Sequence, residues 1–253
     1  MTLRRIETPY GHRYTLDGAK VPGVTTLLSG GLPKPALPRW AAKVCAEYVA
    51  TNLETLNALP DAESIVSVVK QAPWSERDRA AVRGTDIHKI AEDLVHGRKV
   101  EVPEHLQGPV DGYVQWLDKW QPEAILTEFV VANRTWWYAG TGDVIYKLPN
   151  GERVLADFKT SRGVYGETAC QTASYRHAEF YLAADGTEQP LPEVDSLAVV
   201  HIRPDQTDLY RISDPESAWR DAKHIFWVAK AVDRISKQIT DPSEPPLVEA
   251  VAE

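Results

Sequence analysis

The sequence contains only two cysteines, Cys45 and Cys170, among 253 residues. Two cysteines cannot form a disulfide framework, a four-cysteine zinc site or a four-cysteine iron–sulfur cluster. No apolar run approaches the roughly 18 residues that a membrane-spanning helix needs. The N-terminal residues Met1–Glu7 also lack the apolar stretch of a signal peptide. We therefore expect a protein of the reducing cytoplasm that neither spans a membrane nor is exported.

Basic residues are outnumbered, since 28 Lys and Arg against 36 Asp and Glu give a formal net charge of −8. This balance excludes a wholly basic nucleic-acid coat protein. Half of the net charge comes from residues 241–253, which contain four acids, three prolines and no Lys or Arg. Net charge governs solubility and the steering of charged partners, but it does not decide what one groove binds. The charge therefore does not exclude a nucleic-acid substrate.

Hydrophobic residues make up 43% of the chain, an ordinary share for a globular protein of this length. We expect a single domain over residues 1–240, formed by an N-terminal hairpin and helical region at 1–121 and a core at 122–240. The acidic, Pro-rich segment 241–253 is typical of a flexible tail.

The spacing of apolar and turn residues predicts the order of the secondary-structure elements. A hairpin is indicated over 13–21, around Asp17-Gly18, and the last helix opens with a capping box at Ser213. The predicted helices cover about 39–56, 75–95, 104–120, 167–182 and 213–238, and the predicted strands cover about 124–132, 137–148, 152–159, 196–203 and 207–212. This order is typical of an α/β or α+β domain with a central mixed β-sheet flanked by helices.

The tripeptide Pro-Asn-Gly at 149–151 predicts a tight turn between two strands. A three-residue loop would place Asp143 directly opposite Asp157 on one face of the sheet. Lys159, two residues further on, would project from the same face. A two-residue Asn-Gly loop would instead place Asp143 opposite Phe158 and separate these groups. We favour the three-residue loop because it gives the proline its preferred position in the turn.

Two carboxylates and one ammonium group would then converge on one patch. Like charges this close repel unless a cation lies between them or one carboxylate takes up a proton. Hard oxygen ligands with an open side suit Mg²⁺ or Mn²⁺. A cross-strand salt bridge on a solvated face is the alternative, and these three residues alone do not decide between the two.

The best-patterned helical segment carries a histidine at the border of its apolar face. At 100° per residue, that face consists of Ile87, Ile90, Ala91, Leu94 and Val95. His88 lies at its edge, and Glu92 follows one turn later on nearly the same side. Gly84 falls within the face, where a missing side chain would let the helix approach the sheet. A lone histidine more often bonds a core neighbour, but its combination with the two aspartates favours a metal ligand.

Four short motifs follow one another along the chain: Gly84-Thr85-x-x-His88, Gly140-x-x-Asp143, Asp157-x-Lys159 and Gln171-x-x-x-Tyr175. In order, spacing and expected context they resemble the motifs of RecB-like nucleases of the PD-(D/E)XK superfamily. The segments Tyr14–Gly18, Val24–Thr26 and Trp40–Lys43 are similar to phage-encoded members, so the resemblance covers about residues 10–235. Each motif alone is weak, because D-x-K occurs by chance in many proteins. The resemblance implies a restriction-endonuclease-like core.

The same resemblance implies a site for one or two Mg²⁺ or Mn²⁺ ions. His88, Asp143, Asp157 and the backbone carbonyl of Phe158 would be its ligands. Some RecB-like nucleases use four cysteines for an iron–sulfur cluster, and this chain cannot follow that pattern. It also lacks the phosphate-binding loop of a helicase, so the resemblance is to the nuclease module alone.

Catalytic roles are likewise implied for three residues. Lys159 would position or help deprotonate the attacking water and offset charge in the transition state. Gln171 and Tyr175, four apart on one helix face, would orient the phosphate or Lys159 by hydrogen bonds. A packed helix residue is the alternative for Tyr175.

Other residues near the motifs are weaker candidates. Glu92 and Glu128 could hold a second metal ion or belong to an outer shell. A solvated helix face explains Glu92 about as well, and a cross-strand charge pair could explain Glu128. The tryptophans at 136–137 could stack on bases, but sheet packing explains them better. Four basic residues could contact DNA phosphates, although each is more readily plain surface: Arg83, Lys89, Arg162 and Arg176.

Together these features predict a metal-dependent deoxyribonuclease, with the segment 122–240 as its catalytic core. An exonuclease of phage DNA recombination or repair is the first expectation. A structure-selective endonuclease and a catalytically silent DNA-binding subunit are the alternatives. The expected partners are DNA and a recombination or single-strand-annealing protein, and a homo-oligomer is compatible with the sequence. For a phage-encoded protein the location would be the cytoplasm of the bacterial host.

Overall fold

The structure is a computed structural model, and it describes residues 3–8 and 11–238. The expected acidic tail at 241–253 lies outside the described residues. The strands are β1 Arg4–Thr8, β2 Gly11–Leu16, β3 Ala19–Val21, β4 Glu123–Asn133, β5 Tyr138–Lys147, β6 Arg153–Lys159, β7 Phe180–Leu182, β8 Glu188–Gln189, β9 Ser196–Ile202 and β10 Thr207–Arg211. The helices are α1 Val24–Gly31, α2 Ala36–Thr51, α3 Leu53–Asn57, α4 Ala62–Val95, α5 Gln107–Trp120, α6 Glu167–Arg176 and α7 Pro215–Ile235, with a 3₁₀ turn at Glu104–Leu106.

A seven-stranded mixed sheet forms the centre of the fold, in the order β10-β9-β6-β5-β4-β7-β8. Its strands pair antiparallel except for β6 and β9, which run parallel and are joined by a connection that contains α6, β7 and β8. The prediction of a mixed α/β fold with a central sheet flanked by helices is confirmed. In the part of the chain that the structure describes, every helix is too short or too polar to cross a membrane.

Alternating side chains of the central strands pack into two cores, one on each face of the sheet. On one face, Leu155 of β6 and Leu197 of β9 are fully buried under α1, α6 and α7. On the other, Ala156 and Val200 are covered by α4 and α5. Because both faces are covered, the central strands are nearly continuous apolar runs, and a polar residue within them is conspicuous.

The N-terminal strands form a separate three-stranded antiparallel sheet in the order β1-β2-β3. The predicted hairpin around Asp17 is confirmed, with Tyr14 paired to Val21 and both Asp17 and Gly18 at positive φ. Strand β1 was not predicted, because Arg4–Thr8 is charged and shows no clear alternation.

Two predicted helices in the N-terminal half have different bounds in the structure. The helix expected at 39–56 is divided at Asn52 into α2 and α3. The helix expected from Ser75 begins at Ala62 and continues through Pro73 to Val95. Its start is set by Asp61, whose side chain accepts a hydrogen bond from the Ser64 amide at 2.7 Å.

Two further predictions are wrong in the C-terminal half. The helix expected at 167–182 ends at Arg176, and residues 180–182 form strand β7 beside β4. The amide of Glu179 donates to the carbonyl of Ala132 at 2.9 Å. This bond joins the segment to β4 of the central sheet. The last helix is capped by Asp214, which accepts from the Ser217 amide at 2.8 Å, and not by Ser213.

Candidate active site

The β5–β6 hairpin has the register that the three-residue loop predicts. The amide of Leu148 donates to Glu152 O and the amide of Gly151 donates to Leu148 O, both at 2.8 Å. Gly151 has φ +88°, the left-handed conformation that closes such a loop. Further along, Val144 pairs with Ala156, so the next position places Asp143 opposite Asp157.

Regular pairing between β5 and β6 stops at this pair of aspartates. The amide of Phe158 donates to Asp143 Oδ2 at 2.6 Å, so an aspartate side chain takes this strand amide. Asp157 is buried, with 1% of its surface exposed. Burial and the charge of Asp143 raise the pKa of Asp157 to about 6, against the partial compensation of Lys159. The arrangement therefore favours a proton or a cation between the two acids.

Helix α6 supplies a hydrogen-bond network above the acids. Gln171 donates through Nε2 to Asp157 Oδ1 at 2.8 Å and to the Tyr175 hydroxyl at 3.0 Å. Its Oε1 accepts from Lys159 Nζ at 3.2 Å. Gln171 thus contacts both Asp157 and Lys159, and Tyr175 holds the amide of Gln171 in place. Burial raises the pKa of Tyr175 well above its ordinary value, so its hydroxyl stays protonated.

Tyr175 packs closely over β5 because residue 140 is glycine. A Cβ at Gly140 would lie 2.5 Å from Tyr175 Cε1 and 3.4 Å from Val24 Cγ2. The glycine of the Gly140-x-x-Asp143 motif therefore makes room for the tyrosine of the Gln171-x-x-x-Tyr175 motif. The Tyr175 ring is buried in the core, as the packing alternative predicts, and its hydroxyl accepts from Gln171.

Helix α4 brings His88 to the same place from the other side. Ile87 and Ile90 are buried against the sheet, and His88, at the edge of this face, lies with Nδ1 3.6 Å from Asp143 Oδ1. Burial opposes the charged form, but the Asp143 carboxylate outweighs it and raises the pKa of His88. Gly84 lets the helix come close, since a Cβ there would lie 3.1 Å from Thr160 Oγ1.

The site opens into a cavity of about 600 Å³. His88, Asp143, Gln171 and Tyr175 line it, together with other charged side chains, among them Arg5, Lys89, Glu92 and Glu128. The cavity is large enough for a small ligand or for part of a polymer strand.

Glu128, a weaker candidate in the sequence, also lines this cavity. It lies between the pairs Thr127–Val144 and Phe129–Gly142, and therefore beside Asp143 on the neighbouring strand. Its φ of +45° is unusual for a side-chain-bearing residue within a strand. Burial and the charge of Asp143 raise its pKa. Arg5 lies 3.5 Å from its carboxylate, but no sequence signal could have shown this contact because β1 was not predicted.

The donor chemistry of the site fits a divalent cation, although its side chains are not arranged as ligands. Asp157 Oδ2 is buried, and its charged neighbour is Lys159 Nζ, 2.5 Å away. Asp143, Asp157 and His88 would supply two carboxylates and an imidazole to such an ion. Over residues 3–8 and 11–238, however, no three His, Cys, Asp or Glu side chains stand close enough to share a metal ion. Side-chain rotation would have to precede metal binding.

The remaining candidates lie mostly outside this cluster. Trp136 packs edge-to-face on Trp219, as expected of a packing role, and Arg176 lies 3.7 Å from Glu216. Glu92 accepts from Thr127 at 3.4 Å and lines the cavity, whereas Arg83 is exposed. Arg162 lines a different cavity. No family model matches the chain, and a search of curated proteins finds no significant match.

Proposed function

We propose that this protein is a metal-dependent deoxyribonuclease, similar to RecB-like nucleases and built on a restriction-endonuclease-like core. One observation carries the proposal: Asp143, Asp157, Lys159 and Gln171, from two strands and a helix, meet at the point where β5 and β6 separate. A purely structural salt bridge would not need a second acid opposite the first. The antiparallel strands β4, β5 and β6, followed by α6 and the parallel strand β9, support the core that the resemblance implies.

Asp143, Asp157 and His88 would hold the Mg²⁺ or Mn²⁺, with the Phe158 carbonyl as a further oxygen ligand. The bound ion would supply Lewis acidity toward water and toward the scissile phosphate. Asp143 and Asp157 lie opposite each other on β5 and β6, and burial together with the charge of Asp143 makes the charged form of Asp157 unfavourable. Taking up a cation would relieve this repulsion, which is why the acids suit metal binding.

Lys159 would act on the attacking water and on the charge that develops on the phosphate. Gln171 Oε1 accepts a hydrogen bond from Lys159 Nζ at 3.2 Å, and this contact orients the ammonium group. With a cation bound at Asp157, the Gln171 amide would still offer its oxygen to the lysine. Tyr175 is a positioning residue, because it acts through Gln171.

The test compares linear and covalently closed circular DNA in Mg²⁺, Mn²⁺ or EDTA. We expect metal-dependent cleavage that Lys159→Ala abolishes and that Lys119→Ala, an exposed lysine on α5, leaves unchanged. Loss of the linear form alone identifies an exonuclease, whereas nicking of circles identifies an endonuclease. Cleavage in EDTA, or in the Lys159→Ala protein, would contradict the proposal.

A second candidate is a catalytically silent DNA-binding subunit on the same fold. The ion pair between Lys159 and Asp157 favours it. So does the finding that, among the described residues, no three His, Cys, Asp or Glu side chains lie close enough to share a metal ion. Calorimetry with Mn²⁺ distinguishes the two. Uptake that Asp143→Ala removes supports the nuclease, and absence of uptake by the unaltered protein supports the silent subunit. In both cases DNA is the proposed partner and the cytoplasm the proposed location, and a recombination or annealing protein would be a further partner of the nuclease.

A further inference from the structure

A second cavity, of about 580 Å³, lies beside the candidate active site on the β9–β10 side of the sheet. The loop between β6 and α6 forms one wall and the edge strand β10 forms another. Its basic and aromatic lining residues are Arg162, Tyr165, His201, Arg203, Tyr210 and Arg211. Neither the four motifs nor the proposed chemistry uses this cavity.

The sheet register places this cavity on the same face as the reactive acids. In the parallel pair of β6 and β9, Asp157 is in register with Val199 and Lys159 with His201. Val199 and His201 line the cavity. The loop that follows Lys159 directly, residues 160–166, leads from one site to the other. A DNA strand that crosses the acids at β6 would therefore meet this cavity at the neighbouring strand β9.

The loop that forms the wall is tied to the sheet by a buried histidine. His201 is 3% exposed, and its Nε2 lies 2.7 Å from the carbonyl oxygen of Ser161. A carbonyl only accepts, so Nε2 is the donor in this bond. The bond fixes the start of the loop beside Lys159 and so gives the cavity a defined wall next to the active site.

The lining is basic, and no described residue that lines it is Asp or Glu. Two of its three arginines have partners outside the cavity: Arg203 pairs with Asp208 at 2.8 Å, and Arg211 with Glu152. Arg162 forms no ion pair with the residues that the structure describes. Its guanidinium is therefore the group best placed to bind a phosphate.

Two tyrosines stand open to solvent at the same cavity. Tyr165 is 60% exposed and Tyr210 is 45% exposed, and they are on opposite walls, the loop and β10. Exposed aromatic rings beside a free guanidinium are the combination on which unpaired bases stack while the backbone is held by charge. A base within a duplex is already stacked and cannot use these rings.

We propose that this cavity binds an unpaired nucleotide of single-stranded DNA, next to the phosphate that water attacks at the proposed metal site. Tyr165 and Tyr210 stack on the base, and Arg162 binds the adjoining phosphate. The inference rests on the proposed nuclease function for the identity of the polymer, but binding itself needs neither metal nor cleavage.

The test measures binding to two labelled DNAs by fluorescence anisotropy in EDTA. One is a fifteen-nucleotide oligothymidylate and the other is a blunt-ended duplex. We expect Tyr165→Ala and Tyr210→Ala each to weaken oligothymidylate binding about fivefold or more, without an equal loss for the duplex. Arg162→Ala should weaken oligothymidylate binding and reduce its salt dependence. Trp227→Ala and Arg220→Ala, exposed positions on α7, are the matched controls and should bind normally.

Unchanged oligothymidylate affinity in a folded Tyr165→Ala/Tyr210→Ala double variant would overturn the inference, as would absence of binding by the unaltered protein. Circular dichroism and the melting temperature show whether each variant is folded. Because EDTA prevents metal-dependent cleavage, the two proposals fail separately. Selective binding without any cleavage in metal would retain the nucleotide site and reject the nuclease.

Discussion

Lys159 Nζ lies 2.5 Å from Oδ2 of Asp157, a carboxylate buried in the middle of the sheet. The lysine therefore acts as an internal counter-ion for an acid whose other close neighbour is the like-charged Asp143. A divalent cation and this ammonium group compete for the same oxygen. The proposed function requires the cation to displace the ammonium group from this oxygen. Removal of Lys159 therefore separates metal binding from catalysis.

Replacing Lys159 by methionine should abolish cleavage and strengthen Mn²⁺ binding. Methionine keeps the apolar stem but removes the charge that shields Asp157, so the pair of acids repels more strongly without metal. In EDTA we expect a loss of about 1–3 kcal/mol in the free energy of unfolding, less than for a fully buried pair because Lys159 is 27% exposed. Calorimetry and urea unfolding with and without Mn²⁺ measure both effects.

The control for this experiment is Lys147→Met, at the exposed end of β5. It removes the same charge at a distance from the acids and should leave Mn²⁺ affinity and cleavage as they were. Weaker Mn²⁺ binding in Lys159→Met than in the unaltered protein would show that the lysine helps the metal instead of competing with it.

The raised pKa of Asp157 predicts an uncommon pH dependence of stability. Its pKa is about 6 in the folded protein against 3.8 ordinarily, so between these values the folded state binds more protons than the unfolded state. Stability contributed by this group should then rise as the pH falls from about 6 to 4, by up to about 3 kcal/mol. Asp157→Asn cannot titrate and keeps an oxygen for Gln171.

Urea unfolding in EDTA from pH 4 to 7 measures this difference. Other carboxylates and His88 titrate in both proteins, so the quantity compared is the unaltered protein minus Asp157→Asn. We expect this difference to grow in favour of the unaltered protein toward pH 4 and to level off as the pH approaches 7. A difference that is constant over this range would mean that Asp157 keeps an ordinary pKa.

Sequence alone predicted the part of the site that depends on local geometry. The turn at 149–151 fixed the pairing of Asp143 with Asp157, because a short hairpin leaves few alternative registers. Helical periodicity placed His88 at the edge of the buried face of α4, and the spacing of Gln171 and Tyr175 placed both on one face of α6. These are contacts between neighbours in one hairpin or one helix.

The contacts that sequence could not predict join segments far apart in the chain. Glu128 is beside Arg5, and the latter belongs to a strand that has no alternating pattern. Strand β7 was taken for the end of a helix, because its pairing with β4 and not its own residues makes it extended. For Lys159, the sequence left a cross-strand salt bridge open as the alternative, and the structure has an ion pair within β6, from Lys159 to Asp157. Residues two apart on one face can turn toward each other or away, and the surroundings decide.

Gly140→Ala should destabilise the protein and disturb the hydrogen-bond network. The added Cβ would lie 2.5 Å from Tyr175 Cε1, and that ring is 2% exposed and cannot move aside. Overpacking of this kind costs about 1–3 kcal/mol. Gly163→Ala is the matched control, since a Cβ there meets nothing within 4 Å. Urea unfolding of the two variants gives the comparison, and equal stability would mean that Tyr175 is free to shift.

Glu152→Gln should weaken the link between β6 and the edge strand β10. The Arg211 guanidinium pairs with both oxygens of Glu152, and Ser196 Oγ donates to one of them at 2.7 Å. Hydrogen bonds from Arg211 and Ser196 lower the pKa of Glu152 from 4.5 to about 2. A lowered pKa means that the contribution is complete above pH 4.5 and is lost as the pH falls toward 2.

The size of this effect is limited by solvent, because the Arg211 side chain is 45% exposed. We expect Glu152→Gln to reduce the free energy of unfolding by about 0.5–1 kcal/mol at neutral pH, and by less in high salt. Urea unfolding of both proteins from pH 7 to 2 is the measurement. The two stabilities should approach each other toward pH 2, where about half of the folded molecules carry a protonated, uncharged Glu152. A gap that does not narrow between pH 4.5 and 2 would assign the effect to packing and not to charge.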